Sequence, residues 1–138
     1  MNNGYAGAVL DASALLAFIW EEPGAERVEA EIARGALVGT VNWAEVLAKL
    51  VVTGGDPNEI VAMALPSTTP GDVQLQLIGF DDEQARESAR LIRKTRSLGL
   101  SLADRAALAL ARLRGLPVLT TDRAWRSLRL PIKIEVIR

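Results

Sequence analysis

The chain is 138 residues long, 49% hydrophobic and 24% charged, which suits one domain with a continuous core and excludes a disordered chain. It contains no cysteine and no histidine, so disulfides, thiolate nucleophiles, Cys- or His-ligated metals and imidazole bases are all excluded. A net charge of −1 conceals two halves: residues 1–85 carry 3 bases against 13 acids (−10), and residues 86–138 carry 13 against 4 (+9).

In chain order, Ala8-Val9-Leu10 is an apolar run ending at Asp11 and predicts a first strand. Ala12 to Trp20 reads as a helix, and Pro23-Gly24 opens a second one that runs to about Arg34. Ala36 to Val41 predicts a second strand. Asn42 then reads as the N-cap of a helix to about Thr53, stopped by Gly54-Gly55. A helix over Pro57 to Leu65 is closed by a Pro66–Asp72 loop, and Val73 to Phe80 predicts a third strand. Asp82 to Arg96 is helical, with Arg86, Arg90 and Arg93 spaced along one face, until Leu98-Gly99-Leu100 breaks it. Ser101 caps a helix that reaches Arg114 and ends at Gly115 and Pro117. Val118 to Thr121 is a fourth strand, Asp122 to Leu128 a short helix, and Ile132 to Ile137 a fifth strand.

Short apolar strands alternating with helices predict a single α/β domain over residues 1–138, its sheet mainly parallel and covered on both faces. Sites in such sheets lie at the carboxyl ends of the strands, so acids that follow strands are the residues to examine. Asp11 follows the first strand and Asp122 the fourth; Glu45 stands three residues past Asn42 and Asp104 three past Ser101. Each also fits an ordinary cap, since Asn42-x-x-Glu45 and Ser101-x-x-Asp104 both resemble capping boxes. Capping contributes only ~1 kcal/mol per site, and Ser or Thr serves it as well, so it does not require four acids. A carboxylate cluster would raise its own pKa values unless a cation neutralised it, and all-oxygen ligation suits Mg²⁺ or Mn²⁺. The hydroxyls of Ser13, Thr120 and Thr121 stand beside these acids and could orient water or a ligand carboxylate, or simply cap turns.

The basic half is Arg-rich, with 13 Arg among its chain's 16 cations, and a guanidinium suits phosphate. This reads as a surface that attracts polyanions or as a solvated helix face. Trp20, Trp43 and Trp125 read as anchors of the core or of a dimer surface. The first residues lack a basic leader and no apolar stretch approaches ~20 residues, so neither a membrane span nor secretion is expected, and a cytoplasmic compartment is.

At four places the chain resembles the PIN-domain nucleases, and among them the VapC-type toxins of toxin–antitoxin pairs. These are Val9-Leu10-Asp11-Ala12-Ser13-Ala14-Leu15-Leu16, Glu45 in its helix, Ser101-Leu102-Ala103-Asp104-Arg105-Ala106-Ala107-Leu108-Ala109, and Leu119-Thr120-Thr121-Asp122-Arg123-Ala124-Trp125. The resemblance implies a three-layer α/β/α sandwich with a parallel sheet of about five strands, the first of them central. It places the acidic site at Asp11, Glu45, Asp104 and Asp122, all taken as catalytic and metal-binding, with Ser13 matching the family's first-motif hydroxyl; Thr121, beside Asp122, is the second supporting hydroxyl by its position in the sequence. It implies Mg²⁺- or Mn²⁺-dependent endonucleolytic cleavage of RNA, a homodimer, and a VapB-type antitoxin whose C-terminal segment blocks the groove. Arg123, Arg86, Arg90 and Arg93 are the candidate contacts to RNA or antitoxin. Two departures stand out: seven residues precede the first strand, and Arg123-Ala124-Trp125 stands where some relatives carry a further acid. The rival expectation is a non-catalytic RNA- or protein-binding module on the same fold.

Overall fold

A computed structural model of the chain describes residues 7–59 and 75–138. Strand β1 (Ala8–Leu10) leads into α1 (Ala12–Ile19) and α2 (Ala25–Arg34), and β2 (Ala36–Gly39) into α3 (Thr40–Val52). Strand β3 (Leu75–Ile78) is followed by α4 (Asp82–Arg90), the short α5 (Ile92–Thr95) and a 3-10 turn at Arg96–Leu98. Helix α6 (Leu102–Arg114), β4 (Val118–Thr120), a 3-10 segment at Arg123–Ser127 and β5 (Ile134–Val136) complete the chain.

The five strands form one sheet in the order β3-β2-β1-β4-β5, and every pairing is parallel. The first strand is therefore central, as expected of the α/β/α sandwich. Its neighbours pair Val9 with Leu37 on one side and with Val118 on the other.

Side chains alternate across a strand, so β1 feeds both faces of the sheet. Ala8 and Leu10 join Ala36, Val38 and Leu119 under a core completed by Leu15, Val28, Trp43 and Val46, from α1, α2 and α3. Val9, Leu37 and Val118 face the other way, against Leu108 and Leu110 of α6 and the fully buried Trp125. With β1 uniformly buried, neither layer can be peeled off without exposing the central strands.

Several boundaries differ from the sequence reading for local reasons. Helix α3 begins at Thr40, with Gly39 at its cap position, so Asn42 lies inside the first turn and does not cap it. The Thr40 hydroxyl instead accepts the Phe80 N–H at 3.1 Å, which ties the start of α3 to the end of β3. The expected helix over 82–96 is broken at Leu91 into α4, α5 and the 3-10 turn. Beyond residue 59, the helix expected over Pro57–Leu65, its closing loop and the first residues of the third strand lie outside the described residues. Among the described residues, no helix is long and apolar enough to cross a membrane.

Candidate active site

All five strands run in one direction, so β1 and β4 deliver Asp11 and Asp122 to the same edge of the sheet. The backbone N–H of Asp11 donates to the Leu119 carbonyl at 3.1 Å, extending the ladder to that edge. The Asp11 side chain is 4% exposed. Its Oδ1 caps α1, accepting from the Ala14 N–H at 2.8 Å and from the Ser13 hydroxyl at 2.7 Å.

Burial raises the Asp11 pKa from the ordinary 3.8 to about 6, because the ionised form loses its water. The nearby charge of Asp104 pushes the same way, while hydrogen bonds from Thr120, Ser13 and the Ala14 amide hold the value down. Thr120 is fully buried, and its Oγ1 accepts the Asp122 N–H at 3.1 Å and lies 3.3 Å from the Ser13 hydroxyl. Thr120 is thus the hydroxyl that links the surroundings of Asp11 and Asp122. Thr121 acts through its backbone, donating its N–H to Ser13 Oγ at 2.9 Å.

Asp104 stands in the first turn of α6 in a complete capping box: its N–H donates to Ser101 Oγ at 3.1 Å, and its Oδ2 accepts the Ser101 N–H at 3.0 Å. Asp122 Oδ1 accepts the Ala124 N–H at 2.9 Å and starts the 3-10 segment. Capping and ligation are therefore compatible. Asp104 is engaged through Oδ2 and Asp122 through Oδ1, which leaves the second oxygen of each with no hydrogen bond among the described residues.

Glu45 lies beyond the first turn of α3 because the helix starts three residues earlier than expected, with Gly39 and not Asn42 at the cap. Its carboxylate leans toward Lys49, at 4.0 Å. The structure therefore brings Asp11 and Asp104 into mutual electrostatic reach and links Asp122 to Asp11 through Thr120, but among the described residues no hydrogen bond or ion pair joins Glu45 to the other three. Among the described residues, no three acids converge closely enough to hold a metal ion by themselves.

The charges nevertheless call for a cation. Buried acids elsewhere are compensated: Glu31, 2% exposed, receives Arg27 at 2.9 Å and Arg34 at 3.2 Å, and Glu87 receives Arg90 and Arg112, each at 3.2 Å. Among the described residues no Lys or Arg pairs with Asp11, Asp104 or Asp122. A buried carboxylate without a counter-ion, beside a second one, is expensive unless it is protonated or met by a metal. Mg²⁺ typically takes one or two carboxylates, keeps several waters and accepts substrate phosphate oxygens, so this all-oxygen donor set fits it.

The basic residues fare differently. Arg86 is occupied by Asp82 at 2.8 Å and Arg90 by Glu87, while Arg93 has no ion pair among the described residues. Arg123 donates from Nε to the Arg138 carbonyl at 3.1 Å, so it braces the end of β5 next to Asp122. Trp43 and Trp125 are core residues, and Trp20 is 41% exposed.

Comparison with known proteins agrees with this fold. The family model described as the PIN domain matches residues 8–130. VapBC2 from Rickettsia felis, solved bound to a promoter DNA fragment, superimposes with a TM-score of 0.68 at 13% identity over 95% of this chain and 96% of that one. VapBC-5, a toxin–antitoxin system member from Mycobacterium tuberculosis, is 26% identical, with a TM-score of 0.57 over 96% of this chain and 98% of that one. VapC20 from the same organism, a sarcin–ricin-loop-cleaving toxin, gives a TM-score of 0.64 at 15% identity over 88% and 96%. No curated protein matches the chain.

Proposed function

The chain belongs to the PIN-domain family, and from that membership and the edge geometry we propose that it is a Mg²⁺- or Mn²⁺-dependent endoribonuclease acting as a VapC-type toxin in the cytoplasm. The observation that carries this reading is Asp11: buried, raised to about 6 in pKa, beside Asp104, and without a basic partner among the described residues.

When bound, the divalent ion would supply Lewis acidity that makes water a stronger nucleophile and steadies charge developing at phosphorus. Asp11 and Asp104 would hold it, with Asp122 contributing its unused oxygen and Glu45 reaching the site through water. Ser13 and the Ala14 amide fix Asp11 Oδ1, so the ligand is oriented before the metal arrives. Water attacks the phosphodiester phosphorus, the P–O3′ bond breaks, and the 3′ oxygen takes a proton, leaving 5′-phosphate and 3′-hydroxyl ends. Two of the neighbours that share this fold are VapBC toxin–antitoxin proteins, which supports a VapB-type antitoxin here, and the toxin itself is proposed to be a homodimer. The purified protein should cut RNA with Mg²⁺ or Mn²⁺ and stop in EDTA. A folded Asp11→Asn variant that cuts at the wild-type rate would defeat the assignment, and RNA binding without cleavage in any divalent metal would favour a non-catalytic module.

A further inference from the structure

We infer that Asn42 is a positioning residue for this site, one that fixes the first turn of α6, and with it Asp104, against the first turn of α3. The inference rests on the nuclease reading above. Asn42 is 1% exposed, and its Nδ2 donates to the Ala103 carbonyl at 2.9 Å across 61 residues of chain. Ala103 immediately precedes Asp104, and Glu45 stands one turn beyond Asn42 on the same side of α3. Since a carbonyl can only accept, the amide nitrogen must be the atom facing Ala103, and the side chain has a single orientation.

That orientation leaves Asn42 Oδ1 buried and without a partner among the described residues. A buried, unpaired acceptor is unfavourable. The other inward positions of α3 are Trp43, Val46 and Leu50, so an apolar residue at 42 would serve packing better. What the amide supplies and an apolar residue cannot is the tether to α6. Both ends of that tether are themselves braced. Thr40 Oγ1 accepts the Phe80 N–H at 3.1 Å, while Arg105 donates to the Leu100 carbonyl at 2.9 Å and the Ser101–Asp104 capping box closes the turn. Asn42 is thus the hydrogen bond that carries α3, with Glu45, into register with Asp104.

The test compares wild type, Asn42→Ala and Asn42→Leu in three measurements: melting in EDTA, Mn²⁺ binding by calorimetry, and RNA cleavage resolved into kcat and KM. Losing one hydrogen bond while also removing the orphan oxygen should leave the melting temperature within about 3 °C of wild type. Mn²⁺ affinity and kcat should each fall about tenfold or more, the usual result of loosening a group that orients ligands, with KM nearly unchanged. Variants that bind Mn²⁺ and turn over like a competent wild type would overturn this inference and leave the nuclease reading standing. So would a loss of activity that merely tracks a matching loss of folded protein. A wild type that neither binds Mn²⁺ nor cuts RNA would overturn both.

Discussion

Asp11 offers the sharpest physical test, because its burial should make the metal-free protein less stable than a variant that lacks the charge. The folded-state pKa of about 6 lies above the ordinary 3.8, so the folded chain holds the proton more tightly than the unfolded chain does. The sign follows from linkage: this contribution is fully present below about pH 4 and is lost as pH rises through about 6. At ~1.4 kcal/mol for each tenfold change in proton affinity, the ionised carboxyl costs the metal-free fold about 3 kcal/mol at pH 8 and less than about 1 kcal/mol at pH 4. Asp11→Asn removes that charge and keeps a side-chain oxygen for Ser13 and the Ala14 amide. In EDTA at pH 8 it should therefore melt about 9–12 °C above wild type, at ~3–4 °C per kcal/mol for a chain of this length. At pH 4 the difference should shrink to about 3 °C or less. Differential scanning calorimetry of the two proteins across that range is the assay, and titration of the acids that do not interact with Asp11 cancels in the difference. A variant less stable than wild type at pH 8, or a gap that ignores pH, would refute the electrostatic account of Asp11.

Other substitutions separate scaffold from site. Arg27→Ala breaks a bidentate bond to Glu135, at 2.6 and 3.0 Å, and one to the buried Glu31. Because Arg27 is itself partly exposed and Arg34 remains, the cost should be about 2 kcal/mol by urea denaturation, with cleavage per folded molecule unchanged. Ser101→Ala removes the hydroxyl that receives the Asp104 N–H and should cost about 1 kcal/mol. Its rate should fall less than that of Asn42→Ala, because the Ser101 N–H still holds Asp104 Oδ2; equal losses would mean that the cap, not the α3 tether, sets the position of Asp104.

Much of the scaffold is legible in the residues. Ala8-Val9-Leu10 and Val118-Leu119-Thr120 are buried on both faces, as central parallel strands are, and Asp11 and Asp122 follow them where a polar cap begins the next element. Ser101-x-x-Asp104 forms the capping box that its spacing predicts. The start of α3 was not legible, because Asn42 is the better cap by propensity. Gly39 and Thr40 take the helix terminus instead, where the Thr40 hydroxyl accepts the N–H of Phe80, just past β3 and far along the chain. That displacement moves Glu45 out of the first turn, and turns Asn42 from a local cap into a long-range tether. Arg86 and Arg90 look like a free basic stripe in sequence, whereas their acids at 82 and 87 take them up in space. In the same way, the choice between Thr120 and Thr121 depends on which hydroxyl lies on the buried side of β4, and strand alternation alone does not say which side the acids occupy.

The most direct test of the central claim is end-mapping of RNA after exposure to purified wild type and Asp11→Asn, each with Mg²⁺ or Mn²⁺ and with EDTA. The account predicts discrete cuts with 5′-phosphate and 3′-hydroxyl ends from wild type with metal, and none from the variant or from either protein in EDTA. Cleavage that persists in EDTA, or that a folded Asp11→Asn protein carries out at the wild-type rate, would contradict it.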